Sequence, residues 1–138
     1  MTPSKPVKAV AAAWIERAGK VLLAKRRSTD EQGGLWEFPG GGQEEGEDLA
    51  ACLVRELWEE LGVEAAVEEE LAQVFYTYAD VVVHLHLFRA RIVRGEPKPL
   101  GCAEVRWVPF SELSQLPLAP ADRQLLQQLQ VQGGSLTP

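Results

Sequence analysis

The chain has 138 residues, nearly half of them apolar and a quarter charged, with a formal net charge of −6, which fits one ordinary globular domain with room for a real core. The charge is uneven: Glu44 to Glu70 holds eleven acids against one base, Arg55, and this argues against a nucleic-acid duplex as partner, because phosphates call for a basic surface. No run approaches the roughly 18 apolar residues of a membrane span, and the start MTPSKPVKAV has no apolar signal core, so no membrane association and a cytoplasmic location are expected.

Residues 1–6 and the GGSLTP tail at 133–138 read as mobile ends of a single domain covering 1–138. Lys8 to Ile15 and Lys20 to Lys25 read as strands joined through an Arg17–Ala18–Gly19 turn, forming a hairpin. Arg26 to Gly34 is polar and glycine-bearing, hence a loop, and Leu35 to Phe38 is extended because Pro39 pushes Phe38 out of helical conformation. Gly40, Gly41 and Gly42 let the backbone turn and approach a ligand closely. A helix starts near Glu47–Asp48 and stops at Gly62. Its buried face is Leu49, Leu53, Leu57 and Leu61, and Cys52 within it reads as a buried, inert thiol. Cys52 and Cys102 lack metal-ligand spacing and are not expected to pair.

The acids Glu64, Glu68, Glu69 and Glu70 read as a solvated surface. Leu71 to Tyr78 and Val81 to Val93 form a second hairpin around Ala79–Asp80. His84 and His86, two apart, share one face of it; without a nearby carboxylate they read as packing or a wet sheet face rather than as metal ligands. Glu104 to Val108 is a short strand, Ser111 caps a helical turn, and Pro120 to Leu129 is a closing amphipathic helix with Pro at its start. Strands with one acid-bearing helix and one closing helix give an α/β fold, an α/β/α sandwich with a mixed β-sheet.

The segment from Phe38 to Val63, FPGGGQEEGEDLAACLVRELWEELGV, carries the chemistry. At about 100° per residue, Glu56, Glu59 and Glu60 fall within roughly one quarter of the helix wheel. Like charges this close repel by about 0.2–0.5 kcal/mol per pair, so the stripe calls for a cation. Carboxylates with a loop carbonyl suit a hard divalent ion, Mg2+ or Mn2+. The acids border the buried face and so point into a cleft at its edge.

The spacing is a signature. Gly41 is followed six positions later by Glu47, and Arg55–Glu56 come eight positions after Glu47; Leu57, Glu59–Glu60, Gly62 and Val63 complete it. This resembles the Nudix box, and the flanking Phe38–Pro39–Gly40–Gly41 resembles the MutT branch of that family. The resemblance implies the Nudix sandwich and Mg2+-dependent hydrolysis of nucleoside triphosphates to monophosphate and pyrophosphate, a nucleotide-pool sanitation activity, in a monomer or homodimer. It implies Glu59 and Glu60 as main metal ligands with the Gly40 carbonyl opposite. Glu56 would be a further ligand or the general base, Glu47 a support for Arg55 or a ligand of an additional ion, and Arg55 the group that orients these acids. For the substrate it implies a phosphate contact among Lys25, Arg26 and Arg27, with Arg26 the choice, and base contacts at Glu37 and Phe38 beside Gly41. Trp36 either stacks or belongs to the core, and the core is favoured.

Two positions depart from the pattern. The family often supplies a late-loop glutamate six residues before a tryptophan that resembles Trp107; here that position is Gly101, and Glu104 is the nearest acid. Asp122, in LAPAD, stands where the oxidised-guanine enzyme of the branch has asparagine. An ionised aspartate only accepts, which favours a donor-rich base edge such as the cytosine amino group or the N1–H and N2 edge of guanine; alternatively Asp122 caps the final helix. LAPAD and the WEFPGG–HLH pattern resemble members acting on cytidine and damaged pyrimidine nucleotides. Competing readings are a dinucleoside polyphosphate or other nucleoside-diphosphate hydrolase, and a non-catalytic nucleotide-binding module.

Overall fold

The computed structural model describes residues 5–131. In chain order the elements are β1 (Val7–Trp14), β2 (Glu16–Arg17), β3 (Lys20–Lys25), β4 (Trp36–Glu37), β5 (Gly40–Gly42), α1 (Leu49–Leu61), β6 (Glu64–Thr77), β7 (Val82–Arg94), β8 (Glu104–Pro109), a 3-10 helix (Phe110–Gln115) and α2 (Pro120–Val131). The main sheet has the order β5-β1-β7-β6. It is mixed, because β1 runs parallel to β7 and antiparallel to β5, while β6 is antiparallel to β7. A smaller sheet is centred on β3, which pairs with β8 along one edge and with β2 and β4 along the other.

Side chains alternate across a strand, and β1 uses both faces. Ala11, Ala13 and Ile15 pack with Leu53, Leu57 and Leu61 of α1, while Ala12 and Trp14 pack with Leu125, Leu126 and Leu129 of α2. Two cores on opposite faces of one sheet, each closed by a helix, make the α/β/α sandwich. The leucines at 53, 57 and 61 are fully buried, each stabilising by about 1.5–3 kcal/mol relative to exposure. Asp48 caps α1, accepting from the Ala51 N–H at 2.8 Å. Gly62 ends the helix in the left-handed region, φ 71°, its N–H bonded to the Trp58 carbonyl, a conformation that favours glycine.

Several expectations change. The stretch Lys8–Ile15 does not pair with Lys20–Lys25 as a whole hairpin: only Glu16 and Arg17 pair with β3, and β1 leaves at Ile15 to join the other sheet. The three glycines form a paired edge strand rather than a turn. The long hairpin strand starts at Glu64, not Leu71, because the acids at 64, 68 and 69 are exposed and meet Arg94, Arg91 and Arg89 across the ladder. His86 does have a carboxylate beside it, with Nδ1 3.1 Å from Glu70 Oε2; His84 bonds Gln73, stacks on Phe75 and meets His86 at a tilt. Ser111 caps nothing, for Pro109 precedes the 3-10 helix with no side-chain cap. Trp36 is buried in the core, and both cysteines are buried and free. Residues 1–4 and 132–138, most of the ends read as mobile, lie outside the described residues; the Pro6 carbonyl accepts from the Val82 N–H at 2.9 Å.

Candidate active site

The edge strand β5 separates two groups of side chains. On the α1 side stands the acid stripe, organised by Arg55. Its guanidinium grips Glu47 with two nitrogens, at 3.0 and 2.6 Å, and donates to Glu56 at 2.9 Å and Glu59 at 3.0 Å. A further bond reaches the Gly42 carbonyl at 3.1 Å, so the arginine also stitches α1 to β5. The Arg55 bonds, helped by the Glu44 N–H, hold the Glu47 carboxyl down at about 2. Such bidentate, charge-assisted contacts are the strong kind.

Glu60 is the exception in the stripe. Its Oε1 is buried and has no hydrogen-bond partner. Burial first, then the charges of Glu37 and Glu56, push its carboxyl up to about 8. The Glu56 carboxylate lies against Gly41: a Cβ there would stand 2.3 Å from it. Gly40 is equally constrained, since a Cβ would fall 2.0 Å from the Ala11 carbonyl oxygen. These close approaches are what the glycines are for.

Among the described residues no three acids, histidines or cysteines converge as a ready-made cation cage, because Glu47, Glu56 and Glu59 are turned to Arg55. The donor set nevertheless fits a hard divalent cation. A buried carboxylate oxygen without a partner is costly unless something charged meets it, and Glu60 supplies that oxygen beside Glu56.

The late loop explains the missing glutamate. The Leu100 and Gly101 N–H groups both bond the Glu60 carbonyl, at 3.0 and 2.9 Å, and Lys98 N–H bonds that of Leu61. A Cβ at 101 would sit 3.2 Å from Glu60 Cα. The loop thus straps the helix end, and a bulky residue at 101 would crowd it. Glu104 turns along β8 to Arg106 at 3.1 Å.

On the other side of β5 lies a cleft of about 270 Å³. Arg26, Glu37, Phe38, Gly40, Gly41 and Asp122, all singled out in the sequence, line it. Arg26 pairs with Glu37 at 3.0 Å and bonds the Glu31 carbonyl at 2.6 Å. Burial raises the Glu37 carboxyl despite Arg26. Asp122 is buried; its Oδ1 accepts from the Phe38 N–H at 3.0 Å, and its carboxyl also accepts from its own backbone N–H at the start of α2. Burial, then the Glu37 charge, push its carboxyl well above the usual carboxylate range. The structure therefore brings the nominated residues together in two adjoining sets. Lys8, Val10, Tyr78, Val83 and Leu85 also line the cleft and were missed; for all but Tyr78, which lies in the turn between β6 and β7, the signal was the two-residue alternation of β1 and β7.

A family model described as the NUDIX domain matches residues 10–128. The chain belongs to the Nudix hydrolase family. It is 43% identical over 118 residues to the CTP pyrophosphohydrolase of Escherichia coli K12, spanning 86% of this chain and 87% of that one. It is 37% identical over 118 residues to a putative 8-oxo-dGTP diphosphatase 2 of Mycobacterium tuberculosis, covering 83% and 82%. Among solved structures, the Escherichia coli ORF135 protein superposes with a TM-score of 0.80 at 38% identity, over 96% of this chain and 94% of that one. This Nudix chain is thus a hydrolase of the MutT type, and members of the family generally use a divalent metal. No helix among its described residues is long and apolar enough to cross a membrane.

Proposed function

We propose that this chain hydrolyses nucleoside triphosphates to monophosphate and pyrophosphate, in the cytoplasm, as a nucleotide-pool sanitiser. The observation that carries the reading is the position of the acid stripe, with the unpartnered Glu60 Oε1, directly across Gly40–Gly42 from a cleft suited to a nucleoside. Glu56, Glu59 and Glu60 would hold Mg2+, with Glu47 and the Gly40 carbonyl as further donors. Bound there, Mg2+ would offset phosphate charge and lower the pKa of a water. The water oxygen forms a bond to one phosphorus of the anhydride. The bridging P–O bond breaks, its electron pair leaving with the departing phosphate, and one water proton passes to a carboxylate, assigned to Glu56. Arg55 keeps the carboxylates aimed, and the strapped loop at Gly101 leaves the base role within α1.

For the base, Asp122 and Glu37 both line the cleft, and burial raises both carboxyls. With Oδ1 shared with Phe38 N–H, Asp122 offers its second oxygen to a base. Ionised, it accepts only; protonated, it adds a donor. Both forms suit the cytosine edge, an amino donor beside a ring acceptor, and the names of the relatives favour cytidine and oxidised guanosine triphosphates. A panel of these nucleotides with Mg2+ and product identification tests the reading. Release of inorganic phosphate instead of pyrophosphate, or no turnover at all, would sink it. Asp122→Asn is expected to change the ratio of kcat/KM between CTP and 8-oxo-dGTP by about tenfold, the scale of one hydrogen-bonded contact of roughly 1.4 kcal/mol. An unchanged ratio would leave Asp122 only the task of tying α2 to Phe38.

A further inference from the structure

The cleft contains a cation that the proposed chemistry has not used. Lys8, on β1, lines it together with Gly40, Gly41 and Gly42. Its side chain folds over the edge strand: a Cβ built on Gly42 would meet Lys8 Cε at 2.6 Å, Nζ at 3.2 Å and Cδ at 4.0 Å, and nothing else within 4 Å. The missing side chain at 42 is therefore the space that the lysine fills. Arg26, the other cation of the lining, is engaged with Glu37. Among the described residues Lys8 has no carboxylate within ion-pair distance.

Its place along the cleft matters. Phe38 and Asp122 meet at one part of the cleft, and Gly42 lies beyond the bend at Pro39, at the far end of β5. Gly42 is also where Arg55 ties β5 to the acid stripe. A nucleotide with its base near Asp122 would carry its phosphates past Lys8 on the way to those acids. A lysine ammonium is a compact point charge with three rotatable donors, suited to phosphoryl oxygens.

We propose that Lys8 is a phosphate-binding residue of this site, holding phosphoryl oxygens of the triphosphate where it crosses the edge strand at Gly42. The assignment rests on the nucleotide hydrolase reading above. Its role is to bind and position; the proton transfer stays with the acids of α1.

The test compares wild type, Lys8→Ala, Lys8→Arg and the double variant Lys8→Ala/Gly42→Lys. Steady-state kinetics on CTP with Mg2+ is run beside calorimetric binding of inorganic pyrophosphate with Mg2+. Lys8→Ala should raise KM about tenfold and weaken pyrophosphate to a similar degree, the effect of losing one exposed charge contact, with kcat nearly unchanged. Lys8→Arg should stay near wild type. The double variant should recover affinity, since a Cβ at 42 falls where the Lys8 side chain lies in the wild type. Unchanged KM and pyrophosphate affinity in Lys8→Ala, or a loss confined to kcat, would overturn the assignment, as would a double variant no better than Lys8→Ala. If the wild type turns over no nucleoside triphosphate the hydrolase reading fails, and the pyrophosphate titration still decides Lys8 by itself.

Discussion

At the scale of single residues the site is a balance between one arginine and its acids. Arg55 holds Glu47, Glu56 and Glu59 and leaves Glu60 alone, so Glu47 and Glu60 differ sharply in proton affinity. Glu47, held at about 2 against an ordinary 4.5, binds protons less readily folded than unfolded. The stability it lends is whole above about pH 4.5 and drains as pH falls toward 2. Melting temperatures measured from pH 6 to 2.5 should therefore fall less steeply for Glu47→Gln than for wild type across that window. Parallel curves would remove Glu47 from the account. Glu60 has the opposite sign: its carboxyl is raised to about 8, so without metal its ionisation opposes folding as pH climbs from 4.5 toward 8.

At the scale of elements, α1 presents two faces that need each other. Its leucines fix it on β1 and β6, and that anchoring sets the acids at the rim beside β5. Leu57→Ala should destabilise the fold by about 2–5 kcal/mol, as buried leucine deletions do, read from urea unfolding; a loss below about 1 kcal/mol would contradict a close-packed contact. The acid-bearing helix was legible in the sequence because helical neighbours follow from spacing alone. Asp48, Gly62 and the leucine repeat all announce it locally. The edge strand β5 was not legible: three glycines have no side-chain pattern, and what extends them is the pairing of Gly40–Gly42 with Val10–Ala12. For the same reason the first hairpin was overextended, since alternation in Lys8–Ile15 says that a strand exists but not which strand it joins.

At the scale of the molecule, function follows from the mixed sheet carrying one helix on each face. The acids come from one face and the cleft proposed for the nucleoside from the other, and β5 is the narrow edge between them. The residues of α1 were found from the sequence because they are contiguous. Glu37, Phe38 and Asp122 were found through the family resemblance, 84 positions separating the Phe38–Asp122 bond. Lys8, Val83 and Leu85 were missed because only topology brings β1 and β7 side by side. Gly101 stands where the family often has a glutamate, and the fold gives it a positive task, strapping the end of α1. On the proposed function, Glu60, buried and unpartnered, meets the metal in the hydrolysis of nucleoside triphosphates. The most direct measurement is the rate of pyrophosphate release from CTP with Mg2+ by wild type and Glu60→Gln, each first shown to be folded by thermal melting. Glu60→Gln is expected to melt no lower than wild type without metal and to lose turnover by orders of magnitude, about 10² or more, as when an electrostatic contact to the reacting phosphate is removed. A folded Glu60→Gln protein with wild-type turnover would contradict it.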